Sequence, residues 1–153
     1  MKNFKQSLTP MMAMVKLRKY CDYQERCHQE VRNKLLELGV YGMDLEEVIT
    51  QLIQEGHLNE ERYAKSFVRG KFRIKRWGRI KLLHELKKKN ISRYCIQSGL
   101  EEIDEDDYQQ AIIYNIEKAR SAGHISDFDI IQYTSRKGFE TDLVKSVLKE
   151  NSK

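Results

Sequence analysis

From Met11 onward the 153-residue chain contains no proline, and apolar residues recur at helical spacing almost throughout, which directs it to an all-α fold. In DYQERCHQEVRNKLLELG, Val31, Leu35 and Leu38 follow i, i+4, i+7 spacing, so one helix is predicted there, capped by Asp22 and closed by Gly39. A second helix is predicted from Asp44 to Glu55, with Leu45, Val48, Ile49, Leu52 and Ile53 on one face and Gly56 as its stop. A third starts after Asn59, a suitable N-cap, and runs through Phe67. Residues 1–12 lack a sustained period and hold the only proline, Pro10, so they read as a loose tail.

The helical pattern is also repeated. With Gly39, Asn90 and Gly138 set in register, each is followed at once by an apolar residue (Val40, Ile91, Phe139). Others follow at the sixth position (Leu45, Ile96, Val144) and the tenth (Ile49, Leu100, Leu148). Glycine and asparagine tolerate the left-handed conformation that ends a helix, so one helix–turn–helix element is expected three times. The expected units are 13–68, 69–120 and 121–153, together one helical repeat domain, with the third lacking its last helix.

Charge is unevenly placed along this frame. Residues 1–68 hold ten basic and ten acidic side chains, 69–93 hold eleven basic and one acidic, and 94–153 hold seven basic and twelve acidic. The basic middle of a chain whose net charge is only +5 calls for an anionic partner. On a helical wheel Arg62, Lys65, Arg69, Arg73 and Arg76 share a narrow arc, with Tyr63, Ala64, Phe67, Val68 and Ile74 opposite. Lys71 falls in the apolar arc, so either this helix ends near Gly70, the preferred reading, or Lys71 runs its stem along the core edge. After Gly78 a new helix is predicted with Ile80, Leu83 and Leu86 inward and Arg79, Lys81 and Lys88 outward. Lys87, Lys88 and Lys89 lie at its C-terminus, where the helix dipole favours cations. The candidate contact surface is Arg62, Lys65, Arg69, Lys71, Arg73, Lys75, Arg76, Trp77, Arg79 and Lys81. Trp77 has two readings, a platform for a stacked base or a plug in the seam between two repeats.

Other chemistry finds little support. The spacing of Cys21, Cys27 and His28 matches no common zinc site, and there is no phosphate loop, dinucleotide turn, H-E-x-x-H or G-x-S-x-G. The run EEIDEDD lacks the glycine and spacing of a calcium loop. It reads as N-terminal charge for a helix starting near Asp107, or as a contact for the basic stripe of a neighbouring molecule. No catalytic site, metal, cofactor or small-molecule substrate is expected. Three cysteines without a framework and an apolar run, MMAMV, too short for a signal segment or a membrane span point to a reducing cytoplasm.

The segments LNEERYAKSFVRGKF, WGRIKLLHELKKKNIS and RKGFETDLVKSVL, in this order, resemble the RecX family of bacterial recombination regulators over roughly Lys16 to Glu150. The family usually has Asp where this chain has Glu60, and CDYQERCHQEV departs from its more usual Ser-rich opening. The resemblance implies tandem three-helix repeats in an elongated, curved array. It also implies binding to the RecA filament on single-stranded DNA, with inhibition of strand exchange, ATPase and coprotease activities and damping of recombination and the SOS response. The matched positions are Arg62, Tyr63, Ala64, Phe67, Gly78, Arg79, Leu86 and Gly138, and no catalytic residue transfers. The rival readings are a stand-alone single-stranded nucleic-acid binder and a helical adaptor for an acidic protein.

Overall fold

The computed structural model describes residues 8–151, and all their regular structure is helical. The helices are α1 Pro10–Tyr23, α2 His28–Glu37, α3 Gly42–Gln54, α4 Glu60–Lys75, α5 Arg79–Lys88, α6 Arg93–Leu100, α7 Glu105–Ser121, α8 Asp127–Arg136 and α9 Thr141–Asn151. They fall into two compact units, one ending at Tyr63 and one starting at Ala64, so the division lies inside α4.

Three turns built alike explain why the sequence repeats. Gly39, Asn90 and Gly138 have φ of 81°, 60° and 94°. At each turn the next residue's N–H reaches back five residues: Val40 to Leu35, Ile91 to Leu86 and Phe139 to Thr134, at 2.9, 3.2 and 3.1 Å. The turn residue's own N–H bonds three back, to Leu36, Lys87 and Ser135. This paired closure satisfies helix-end carbonyls that would otherwise lack partners, and it turns the following apolar side chain inward. Val40, Ile91 and Phe139 are all buried. Each turn joins a second helix to a third, giving the triplets α1–α3, α4–α6 and α7–α9. Counted instead from the helix before each turn, as the sequence was, the last copy, 121–153, holds two helices, α8 and α9.

In the first unit α1 and α2 pack against α3 around Leu17, Val31, Leu35, Val48 and Leu52. Pro10 belongs to α1 rather than to a tail: Thr9 Oγ1 accepts from Met12 N at 3.2 Å, and proline suits a first turn whose N–H groups have no helical partner. Residues 1–7 of the expected tail lie outside the described residues. Asp22 is not a cap. It lies near the end of α1 and pairs with His57 Nδ1 at 2.8 Å, while Cys27 caps α2. Ile53, expected inward, is exposed.

In the second unit α7, α8 and α9 pack together, and α5 packs on α6. Tyr108, Ile112, Ile116, Ile130, Phe139 and Val144 are buried there. On α5 the buried pair is Leu82 and Leu86, whereas Ile80 is exposed and Leu83 half-buried, so the inward face is rotated from the predicted one. The acidic run starts α7 at Glu105, and Asp104 as N-cap accepts from Asp107 N at 3.3 Å. Among the described residues, no helix is long and apolar enough to cross a membrane.

Candidate functional site

The site is organised by α4, which continues through Gly70 and ends at Lys75, a turn and a half beyond the expected stop. Asn59 Oδ1 accepts from Arg62 N at 2.9 Å, as its cap position predicts. Arg76, with φ 57°, turns the chain out of the helix, and its carbonyl accepts from Asn115 Nδ2 at 3.3 Å. Lys71 is therefore a helical residue. It is half-buried, with Nζ 5.8 Å from the Phe67 ring centroid and 5.4 Å from that of Trp77. Ile74, predicted to face inward, is exposed.

The ten candidate residues divide by what holds them. Arg62 is engaged within the first unit, with Nε 2.6 Å from Glu25 and Nη2 2.9 Å from the Gly56 carbonyl just after α3. Lys65 is half-buried and has a partner. Arg79 is the most enclosed of the arginines discussed here, its side chain 24% exposed. It reaches Glu105 at 2.6 Å and Glu140 at 3.0 Å, and its guanidinium lies 3.9 Å from the Tyr108 ring centroid. Tyr108 donates its hydroxyl proton to Glu140 and accepts from Arg79 N at 3.0 Å; burial, followed by that bond to Glu140, raises its phenol pKa.

Around this network the chain is pressed backbone to backbone. Gly78 N donates to Lys137 O at 2.8 Å and Ile80 N to Gly138 O at 3.0 Å, so the turn after α8 supplies acceptors for the free N–H groups at the start of α5. A Cβ on Gly78 would lie 2.3 Å from Gly138 O, and one on Gly138 would lie 2.3 Å from Lys81 Cβ. The W-G-R-I and R-K-G-F segments are thus two sides of one joint.

The remaining cations point elsewhere. Arg69 Nη1 is 3.4 Å from Glu102, in an exposed pair. Arg76 lies over Tyr114, 4.4 Å from its centroid. Arg73 and Lys75 are exposed, with no ion pair or side-chain hydrogen bond among the described residues. Arg69, Arg73 and Arg76 form one wall of a cleft of about 320 Å³ whose other wall carries Glu102, Asp104 and Asp107. The acidic run thus meets cations of its own chain, Arg69 at Glu102 and Arg79 at Glu105. On the far side of α4 lies a groove of about 280 Å³. Trp77 is half-buried between α4 and α5, 6.4 Å from the Phe67 ring and 4.6 Å from Lys81 Nζ.

Three exposed arginines along one cleft wall, two on α4 and Arg76 just past its end, can hold phosphates or carboxylates by charge-assisted hydrogen bonds. Among the described residues no group of three His, Cys, Asp or Glu side chains is placed to hold a metal, and burial pushes the Cys21 thiol up to about 11. Sequence reasoning missed both the acidic wall of the cleft and the far groove. Helical spacing orders residues around one helix but does not show which neighbouring helix faces them.

Comparison with known proteins bears on this geometry. The model of the RecX second three-helix domain matches residues 59–100, the span from the Asn59 cap through α6. The Regulatory protein RecX of Bacillus mycoides (strain KBAB4) is 24% identical over 136 residues, covering 86% of this chain and 50% of the relative. That of Pelodictyon phaeoclathratiforme (strain DSM 5477 / BU-1) is 29% identical over 126 residues, covering 78% and 76%. The chain thus spans about half the length of the Bacillus relatives it matches. The crystal structure of RecX from Lactobacillus salivarius aligns with a TM-score of 0.82 at 25% identity, over 92% of this chain and 95% of that one. With one triplet matched by the RecX family model and the helical frame shared with a RecX crystal structure, the chain is similar to RecX regulatory proteins over most of its length.

Proposed function

We propose that this protein is a non-enzymatic cytoplasmic regulator that binds RecA filaments on single-stranded DNA and inhibits their recombinase, ATPase and coprotease activities, damping recombination and the SOS response. The observation that carries this reading is the cleft wall made by Arg69 and Arg73 of α4 with Arg76 just beyond its end, inside the stretch matched by the family model. These arginines supply attraction for a surface rich in phosphates and carboxylates. Arg62 and Arg79, already paired within the chain, are positioning residues for the fold in this reading. A bound protein shifts an equilibrium only by its differential affinity for the two states. Inhibition therefore requires stabilisation of an inactive filament, or obstruction of protomer addition at an end.

The test is ATP hydrolysis by the same organism's RecA on single-stranded DNA, titrated with this protein below stoichiometric ratios. Inhibition that excess DNA does not relieve is the expected result. Inhibition relieved in proportion to added DNA would mean that the arginine face only sequesters nucleic acid. Absence of inhibition would overturn the regulator reading altogether.

A further inference from the structure

The second half of α4 has two faces, and its cations divide between them. Arg69 and Arg73, one turn apart on α4, line the acidic-walled cleft together with Arg76 just beyond the helix end. The other groove is lined by Ser66, Phe67, Gly70, Lys71, Ile74 and Lys75, with two lysines and no carboxylate. Lys81 adds a third cation nearby, against Trp77.

Two features of this groove are not explained by folding. Ile74 is 79% exposed, although the helix carrying it also presents a buried face with Ala64 and Val68. Gly70 sits inside a 16-residue helix, where glycine is a poor choice, and a Cβ there would meet nothing within 4 Å. Gly99 makes the contrast: a Cβ at that position would lie 2.9 Å from Ala64 O, so packing requires glycine. At Gly70 the missing side chain leaves the floor of the groove open.

We propose that this groove docks an acidic, amphipathic segment of a protein partner. An apolar side chain of that segment sits over Gly70 against Phe67 and Ile74, and flanking carboxylates pair with Lys71 and Lys75. The proposal rests on the regulator reading and deepens it, since it gives protein contact to the lysine face and phosphate contact to the arginine face. Charge complementarity selects the occupant: an apolar floor with a cationic rim fits an apolar anchor between carboxylates. A stacked base is a poorer match, because Lys71 and Lys81 already lie 5.4 and 4.6 Å from the Trp77 ring centroid and the exposed wall is aliphatic.

Trp77 is the only tryptophan and borders Lys71 and Phe67, so its fluorescence reports on the groove. The whole chain is titrated with a synthetic helical peptide of leucine and glutamate, and separately with an oligothymidylate. The peptide is expected to give a saturable shift in Trp77 emission. Ile74→Glu and Gly70→Leu weaken its binding at least about tenfold and Arg73→Gln leaves it within about twofold, while the oligothymidylate produces no shift. Gly70→Leu fills the groove without changing charge and raises the thermal midpoint by about 2–4 °C, so lost binding cannot be attributed to unfolding. A Trp77 signal unmoved by the peptide, equal affinity in the groove variants, or a shift produced by the oligothymidylate would overturn the proposal. A silent Trp77 beside intact ATPase inhibition removes the groove alone. A responsive Trp77 without ATPase inhibition removes the regulator reading alone.

Discussion

The joint at the start of α5 and the second half of α4 are built from the same residue types, glycine, arginine and aromatics, and use them in opposite ways. At the joint Gly78 and Gly138 let two backbones approach until neither has room for a Cβ, and Arg79 is held by Glu105, Glu140 and Tyr108. On α4, Gly70 borders open space and Arg73 has no ion pair or hydrogen-bonding partner among the described residues. A glycine or arginine points to a binding surface only where the fold itself makes no use of it. By that standard Gly78 and Arg79 serve the fold, and Gly70 and Arg73 belong to the surface proposed for binding.

The largest expected effect is a direct contrast of the glycines. Gly78→Ala places a methyl against the Gly138 carbonyl, which must move and loosen two hydrogen bonds, at a cost of about 3 kcal/mol. Gly138→Asn retains the left-handed preference and still meets Lys81, so a loss of similar size is expected. Gly70→Ala, with nothing in its way, stabilises by about 1 kcal/mol. Urea midpoints measured on the three variants decide it. If Gly78→Ala and Gly70→Ala shift the midpoint in the same direction, the contrast fails.

Next in size is the arginine pair. Arg79→Gln leaves the half-buried Glu140 and the exposed Glu105 without their cation and is expected to cost about 2 kcal/mol, by urea denaturation. Arg73→Gln changes stability by less than about 0.5 kcal/mol, as for an exposed unpaired side chain. In binding the order reverses: Arg73→Gln weakens retention on RecA filaments, and the salt dependence of that retention becomes shallower. A stable Arg79→Gln protein would return Arg79 to the candidate contact surface.

How much of this was legible in the sequence follows from the range over which each signal acts. The turns at Gly39, Asn90 and Gly138 are local, set by one backbone conformation and the apolar residue after it, so they were readable and gave the triplets their anchor. The Asn59 cap was readable for the same reason. The end of α4 was not, because Lys71 looked misplaced on an apolar arc. In the fold its stem and ammonium lie along the Phe67 and Trp77 rings, and a wheel shows neither ring's position. Arg62 looked like a member of one stripe with Arg73, and Arg79 like an outward cation of the next helix. Their partners, Glu25 for one and Glu105 with Glu140 for the other, lie far away in sequence.

A smaller effect separates the buried joint from the open helix by pH. Burial raises the Tyr108 phenol and the Cys21 thiol, the latter to about 11, so folding favours their protonated forms. That stabilisation is complete below the unfolded values, about 8.5 for a thiol and 10 for a phenol, and is lost as pH rises through the folded ones. The urea midpoint is therefore expected to stay level near neutrality and fall above about pH 9. Tyr108→Phe costs about 1 kcal/mol at neutral pH by removing the hydroxyl between Arg79 N and Glu140, and it makes the alkaline decline less steep. A decline of unchanged steepness would place its origin outside the joint.

The smallest expected effect tests whether a glycine at a turn is there for the turn alone. Asn90 and Gly138 occupy equivalent turns with φ of 60° and 94°, and at Gly138 a Cβ would also lie 2.3 Å from Lys81 Cβ at the start of α5. Asn90→Gly keeps the left-handed conformation and is expected to lie within about 0.5 kcal/mol of the parent, whereas Asn90→Ala loses about 1 kcal/mol because a Cβ is unfavourable there without asparagine's local hydrogen bonding. Thermal midpoints of the two variants, set beside Gly138→Asn, separate the demands. If Asn90→Gly costs as much as Gly138→Asn, the second turn also depends on contacts beyond its own backbone, and the three turns are less alike than their hydrogen bonds make them.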